Sequence, residues 1–200
     1  MMDHGKRTRQ IAERLEEKLL AYPNRYPGVK IFYDHGDSFK ESVCQPTSYI
    51  GRRYGADATM SGLDIVLVHK GKVFLLVEVE ESQVRPKTIL GDIFGVVLSE
   101  RVRIKAKSYP IENATMIVAM IVNSKGQQAE KYIRLERHLH KYLSALRKIM
   151  PKTRADKIRI VTSDSEDLVR RIERLEKKEW GQVLYYNKIW CIKMLSNKKC

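Results

Sequence analysis

Apolar positions recur at helical spacing at the start of the chain, where TRQIAERLEEKLLAY (8–22) sets Ile11, Leu15, Leu19 and Tyr22 on one stripe and Pro23 and Pro27 end it. The pattern predicts a first helix. VKIFYDH (29–35) and ESVCQPTSYI (41–50) read as extended segments, the second weakened by Pro46, and GRRYGADATMSG reads as a loop. IVLV (65–68) and VFLLVEV (73–79) flank HKGK, a turn signal centred on Gly71, and predict a hairpin. Val73, Leu75 and Val77 lie on one parity of its second strand and Phe74 and Leu76 on the other, as expected of a central strand covered on both faces. After Pro86, the spacing of Ile89, Leu90, Ile93, Phe94, Val97 and Leu98 predicts a helix. ATMIVAMIV (114–122) predicts a buried strand, and residues 127–150 a long helix stopped by Pro151. KIRIVTS, SEDLVRRIERLEKKEW with Ser165 as N-cap, and NKIWCIKML then predict strand, helix and strand. This order makes the chain an α/β protein with a mixed sheet, antiparallel in the middle and open to parallel pairing later.

At 200 residues, 43% hydrophobic and 31% charged, the chain fits a single domain over 1–200. No apolar run approaches the ~20 residues of a membrane span, nor does MMDHGKRTRQIAERL resemble a signal peptide, so the expected setting is the cytoplasm without a membrane partner. Cys44, Cys191 and Cys200 lie far apart without Cys-x-x-Cys spacing, which indicates neither a disulfide framework nor a zinc site. The formal charge of +14 is unevenly placed: residues 1–100 carry 14 Lys and Arg against 14 Asp and Glu, residues 101–200 carry 24 against 10. A basic second half points to a polyanion, and nucleic acid is the default partner.

Three carboxylates interrupt the apolar hairpin: Asp64 before the first strand, Glu78 and Glu80 near the end of the second. Side chains two apart on a strand share a face about 6 to 7 Å from each other, so Glu78 and Glu80 project together. Buried ionised carboxylates need a cationic partner or a metal. An all-oxygen set suits a hard cation, and Mg²⁺ in particular is held by one or two carboxylates plus waters and substrate phosphates. The alternative is a solvated face on which Glu78 and Glu80 pair with lysines and Asp64 is a turn residue; apolar neighbours on both parities oppose it. Register adds a condition: a two-residue turn at Lys70 and Gly71 pairs His69 with Lys72 and places Asp64 opposite Val77, away from Glu78. A shared site therefore requires an odd loop, or a bulge near Asp64.

These residues resemble the PD-(D/E)XK nuclease superfamily, in which an acidic residue opens one strand and an acidic-x-Lys motif lies on the next. Gly62-Leu63-Asp64-Ile65-Val66 followed by Val77-Glu78-Val79-Glu80 matches that layout, and the element order is similar from residue 8 to about 122, with a basic half (123–200) packed on that core. Glu80 stands where the family usually has lysine, as in a subset of type II restriction endonucleases with an acidic-x-Glu motif. The resemblance implies a restriction-endonuclease-like sheet flanked by helices on both faces, and Mg²⁺, with Mn²⁺ as possible substitute, at Asp64, Glu78 and Glu80. Glu80 is either a metal ligand or an acceptor of a proton from water. AERLEEKLL looks like the first helix of archaeal Holliday-junction nucleases, which brings Glu13 to the metal, with Glu16 and Glu17 as near rivals. Lys87 is the candidate for the missing lysine.

Substrate surfaces follow from the basic residues. RVRIKAK alternates, so an extended chain puts Arg101, Arg103, Lys105 and Lys107 on one side as a basic rail. On the helix from 127, Tyr132, Leu135, Leu139, Tyr142, Leu143 and Leu146 gather on one arc and Lys131, Arg134, Arg137, His138, Lys141 and Lys148 on another, facing phosphates or merely solvent. Arg52 and Arg53 could contact phosphate or a guanine edge. His138 and His140 point in different directions and read as surface residues. The expectation is a Mg²⁺-dependent endonuclease of double-stranded DNA, foremost a type II restriction enzyme acting as a homodimer. The alternatives are a Holliday-junction or repair nuclease, or a non-catalytic nucleic-acid-binding protein.

Overall fold

A computed structural model describes residues 5–24, 26–51, 53–81, 85–122, 127–146, 148 and 157–172. The chain divides into two compact units, Met1–Ser165 and Glu166–Cys200. Of the second, residues 166–172 are described; they are helical, and Asp167 pairs with Arg171 at 2.6 Å. The strand expected at NKIWCIKML, with Cys191 and Cys200, lies outside the described residues, as does Arg52.

The first unit is α/β. Helix α1 (Lys6–Ala21) is followed by β1 (Val29–Tyr33), β2 (Thr47–Tyr49), β3 (Thr59–Gly62), β4 (Ile65–His69) and β5 (Lys72–Glu80). Then come α2 (Pro86–Leu98), β6 (Arg101–Ile104), β7 (Lys107–Ile121), α3 (Gln127–Leu146) and β8 (Lys157–Ser163). These eight strands join one mixed sheet, in the order β1-β4-β5-β7-β6-β2-β3, with β8 beside β7. The 15-residue β7 organises it: Lys107–Pro110 run antiparallel to β6, and later residues run parallel to both β5 and β8. Two parallel neighbours explain why Met116 to Ile121 are all buried.

Alternation sorts the sheet into two faces. Val66, Leu76, Met116, Val118 and Ile160 pack with Ile89, Ile93, Val96 and Val97 of α2 and with Tyr132, Leu139 and Leu143 of α3. Burying each of these large side chains stabilises the fold by roughly 1.5 to 3 kcal/mol. Tyr33, of opposite parity to Phe32 in that cluster, donates its hydroxyl to Glu16 on α1 at 3.0 Å, and α1 buries Ile11, Ala12 and Leu15.

Four expectations change. GRRYGADATMSG contains β3, antiparallel to β2. RVRIKAK is not one extended rail, because the chain reverses at Lys105, whose φ is 53°, and Lys107 already belongs to β7. Tyr142 is 65% exposed, since the buried arc of α3 is the narrower Tyr132, Leu139, Leu143 set. Ser165 is itself helical, and its Oγ is buried without a hydrogen-bond partner among the described residues, so it does not cap. No helix among the described residues is long and apolar enough to cross a membrane.

Candidate active site

The β4–β5 hairpin closes through a two-residue turn in which Lys70 (φ 49°) and Gly71 (φ 76°) are both left-handed, pairing His69 with Lys72. That turn alone would place Asp64 opposite Val77. The register instead shifts between Leu67 and Val68: Val68 pairs with Val73 but Leu67 with Leu75, leaving Phe74 as an extra residue in β5. Ile65 then pairs with Val77, and the next position, Asp64, falls level with Glu78. The required bulge exists, on β5 rather than beside Asp64.

Asp64 Oδ2 accepts a 2.7 Å hydrogen bond from the Val79 amide, and its own carbonyl accepts from the Asp34 amide at 3.0 Å. The side chain is thereby fixed against the end of β5. Burial is the main reason its pKa rises, to about 6, with Asp34 and Glu81 adding to the rise while the Val79 amide and His35 oppose it. Glu78 is 8% exposed and is pushed well above the usual carboxylate range, first by burial and then by the charges of Asp64 and Asp92, with a backbone hydrogen bond from Asp64 pulling the other way. Glu80 is held at about 8 by burial, by a hydrogen bond with the Asp92 carboxyl, and by the charges of Asp92 and Asp64. Burial also raises Asp92, against that same hydrogen bond. Among the described residues, the buried Asp92 Oδ2 has no hydrogen-bond donor. Two touching carboxyls resist ionising together, and a proton shared between them relieves the repulsion.

Asp92 is the member that sequence reasoning missed, and its signal was present. It is the one charge in TILGDIFGVV, three residues after Ile89 and four before Val96, at the edge of the arc that α2 buries. Glu81, the third acid of EVEES, lies beside this group for a different reason. Its Oε1 accepts from the amides of Arg7 (3.1 Å) and Thr8 (2.9 Å) and from Thr8 Oγ1 (3.0 Å), capping the N-terminus of α1.

A cleft of about 210 Å³ opens here, lined by Gly5, Thr8, His35, Asp64, Val79, Glu80 and Glu81. His35 was also missed. Its backbone is left-handed, φ 60°, which is uncommon for a residue other than glycine. Its amide donates to Asp34 Oδ1 at 2.8 Å, its Nε2 lies 3.6 Å from Asp34 Oδ2, and Gln45 donates to that same oxygen at 3.1 Å. Gly5 makes room for the ring, since a Cβ there would stand 2.3 Å from His35 Cγ. Backbone strain of this kind is concentrated at functional sites.

The other candidates are placed as follows. Glu13 is paired with Arg9 at 3.1 Å and lies 3.9 Å from Lys40; Glu16 accepts from Tyr33 and Lys40. Neither lines the carboxylate cleft. Lys87 is exposed on the first turn of α2 and is not among the charges that shift Asp64, Glu78, Glu80 or Asp92. Among the described residues, no three His, Cys, Asp or Glu side chains form a ready-made metal cage. Arg101 donates to Ser108 Oγ at 2.6 Å and to its carbonyl at 3.2 Å; Arg103 donates to the Lys105 carbonyl at 3.0 Å. Arg53, Lys105, Lys107, Lys131, Arg134 and Lys141 are exposed. His140 is exposed, as expected, and also sets Nε2 3.1 Å from the Ile160 carbonyl oxygen, tying α3 to β8. No protein-family model, curated protein or solved structure matches the chain.

Proposed function

We propose that the chain is a Mg²⁺-dependent endonuclease of double-stranded DNA with the restriction-endonuclease-like fold of the PD-(D/E)XK superfamily. The observation that carries this reading is the Phe74 bulge, which sets Asp64 level with Glu78, beside Glu80 and Asp92. Asp92 Oδ2, buried without a donor among the described residues, and the all-oxygen character of the group fit a hard cation. Asp64 and Glu78 would hold it, with Glu80 as third ligand or proton acceptor; Mn²⁺ would substitute. When bound, the ion polarises the phosphoryl group and lowers the pKa of water. The chain's own groups do the rest. Asp64 is oriented by the Val79 amide, Glu80 and Asp92 share a proton in the metal-free chain near neutral pH, and the His35 ring lines the cleft in which the phosphate would lie.

Restriction of DNA by a homodimer is the role favoured by the resemblance at Glu80; a Holliday-junction or repair nuclease is the alternative. A second class, a nucleic-acid-binding protein without cleavage, is favoured by one observation: among the described residues, no lysine lines the cleft. Incubating supercoiled plasmid with the protein and Mg²⁺ separates the two classes. Nicked or linear product that disappears with EDTA and with Asp64→Ala or Glu78→Ala supports the nuclease. Binding without any cleavage by the wild type decides for the second.

A further inference from the structure

The wing formed by β2, β6 and the start of β7 carries a second constellation. Val102 and Ile104 belong to the core beneath α2, so the alternating Arg101 and Arg103 lie on the other face of β6. Tyr49 pairs with Arg101 and Thr47 with Arg103 across β2 and β6, which puts them on that same face. Tyr54, from the loop after β2, sets its ring edge-to-face on Tyr49 at 5.4 Å, and the Arg103 guanidinium lies 4.1 Å from the Tyr54 centroid. Each member is held from behind. Tyr49 is buried and its hydroxyl bonds that of Ser108, which also takes Arg101; Arg103 is steered by the Lys105 carbonyl. Tyr54 itself is 46% exposed, which leaves ring surface uncovered.

A stacked guanidinium and ring stabilise each other modestly at an exposed site, and that stabilisation does not depend on anything lying outside. Charge is what suggests an occupant. The described residues of 47–62 and 99–110 include Arg53, Arg101, Arg103, Lys105 and Lys107 against Asp57 and Glu100, and Lys105 and Lys107 are exposed at the tip of the β6–β7 hairpin. A ligand that is anionic and also presents a planar face matches both halves of the patch. Phosphates alone would need only the charges; a base needs the plane.

Resting on the nucleic-acid reading above but not on cleavage, we infer that this wing holds an unpaired base of the substrate, stacked on the Arg103–Tyr54 pair while Lys105 and Lys107 take the flanking phosphates. In the interior of a duplex both faces of each base are covered by its neighbours, so the stack selects DNA with a base displaced from pairing, at a junction, flap or single-stranded end. Such a preference belongs with the junction or repair role.

Fluorescence anisotropy of the full chain in EDTA tests this, using one labelled duplex with blunt ends and the same duplex with a short unpaired tail. Wild type binds the tailed duplex more tightly. Arg103→Lys keeps the charge and loses the plane, and Tyr54→Leu removes the ring; each weakens tailed-duplex binding about tenfold, in line with the stacking of one base, and leaves the blunt duplex almost unchanged. Tyr54→Phe, which retains the ring, keeps the wild-type preference. Equal weakening on both duplexes, or none on either, overturns the inference, as does a wild type without tail preference. A wild type that binds neither duplex removes the nucleic-acid reading itself, whereas tail-selective binding without cleavage under Mg²⁺ leaves this inference standing and removes the nuclease.

Discussion

The end of the β4–β5 hairpin and the β2–β6–β7 wing treat charge in opposite ways. At the hairpin end, burial raises the cost of ionising Asp64, Glu78, Glu80 and Asp92, the charges of Asp64 and Asp92 add to that cost at Glu78 and Glu80, and neither lysine nor arginine is among the groups that shift the four. On the wing, Arg101 and Arg103 already have Ser108, the Lys105 carbonyl and the Tyr54 ring as partners. One arrangement leaves its carboxylates without a lysine or arginine partner among the charges that shift them. The other is complete as it stands and offers surplus charge outward. Under the proposed function, the first would be a ligand site marked by unrelieved electrostatic strain and the second a recognition surface marked by preorganised side chains with exposed area. The first should trade stability for function when altered; the second should change affinity with little effect on stability.

The largest effect tests the acidic end. Asp64→Ala or Glu78→Ala is expected to lower plasmid cleavage by on the order of 10³-fold or more, the scale of losing a group that stabilises transition-state charge, while duplex affinity in EDTA stays within about twofold. Residual cleavage within tenfold of wild type would place the chemistry elsewhere. His35→Ala should cost less, about 10- to 100-fold in cleavage, because a ring that lines the cleft is lost while the carboxylates remain. His35→Gln, which retains an N–H donor, should recover part of that activity; an equal deficit in both variants would mark His35 as a purely structural residue.

Stability then separates strain from surplus. Asp64 has a folded pKa of about 6, above its ordinary 3.8, so the folded state binds more protons than the unfolded one between those values. Its contribution to stability is full below about pH 4 and is lost as pH rises through 6. The difference corresponds to about 3 kcal/mol. Metal-free protein should therefore melt lower at pH 8 than at pH 5, and Asp64→Asn should raise Tm at pH 8 by roughly 6 to 12 °C while changing it little at pH 4. Mg²⁺ should raise the wild-type Tm at pH 8 and not that of the variant. Calorimetry that shows the same Tm for both proteins at pH 8 would contradict the strained cluster.

A smaller effect belongs to the outer face of α3. Replacing Lys131, Arg134 and Lys141 together by alanine should weaken DNA binding similarly for every sequence and flatten the plot of log affinity against log salt by about one unit for each phosphate no longer neutralised. An unchanged slope would assign that face to solvent.

How much of this was legible follows from which signals are local. The hairpin, its two-sided burial and the face shared by Glu78 and Glu80 are written in period-two alternation. Parity also showed that Asp64 and Glu78 could meet only through an irregularity. Its position was not legible, because Phe74 is as apolar as its neighbours and the choice of bulged residue depends on pairing with β7, where Val73 matches Ile111 but Leu75 matches Thr115. β3 was missed because Thr59, Met60, Ser61 and Gly62 do not alternate; β2 supplies the hydrogen bonds that make them a strand. The turn at Lys105 has no glycine or asparagine to announce it. Asp92 was readable from helical spacing alone and needed only the question of why one acid sits among apolar residues.

Glu13 tests the line between resemblance and geometry with the smallest effect of all. The likeness of AERLEEKLL to a junction-nuclease helix brings Glu13 to the metal, yet its carboxylate pairs with Arg9 and lies near Lys40, and α1 presents Thr8, Ile11, Ala12 and Leu15 as its buried positions. The N-terminal end of α1 does reach the carboxylate cleft, but through Gly5 and Thr8, where Glu81 already takes the amides of Arg7 and Thr8. An exposed i,i+4 ion pair is worth about 0.3 to 0.5 kcal/mol. Glu13→Ala should therefore leave Mg²⁺-dependent cleavage within about twofold of wild type and shift Tm by about 1 °C, as its surface ion pair implies. Glu81→Ala should lower Tm by several degrees, because it leaves the first amides of α1 without their acceptor. A large drop in cleavage by Glu13→Ala at unchanged Tm would mean that α1 turns its acidic flank to the metal when substrate is bound, and would restore the position that the resemblance assigns to it.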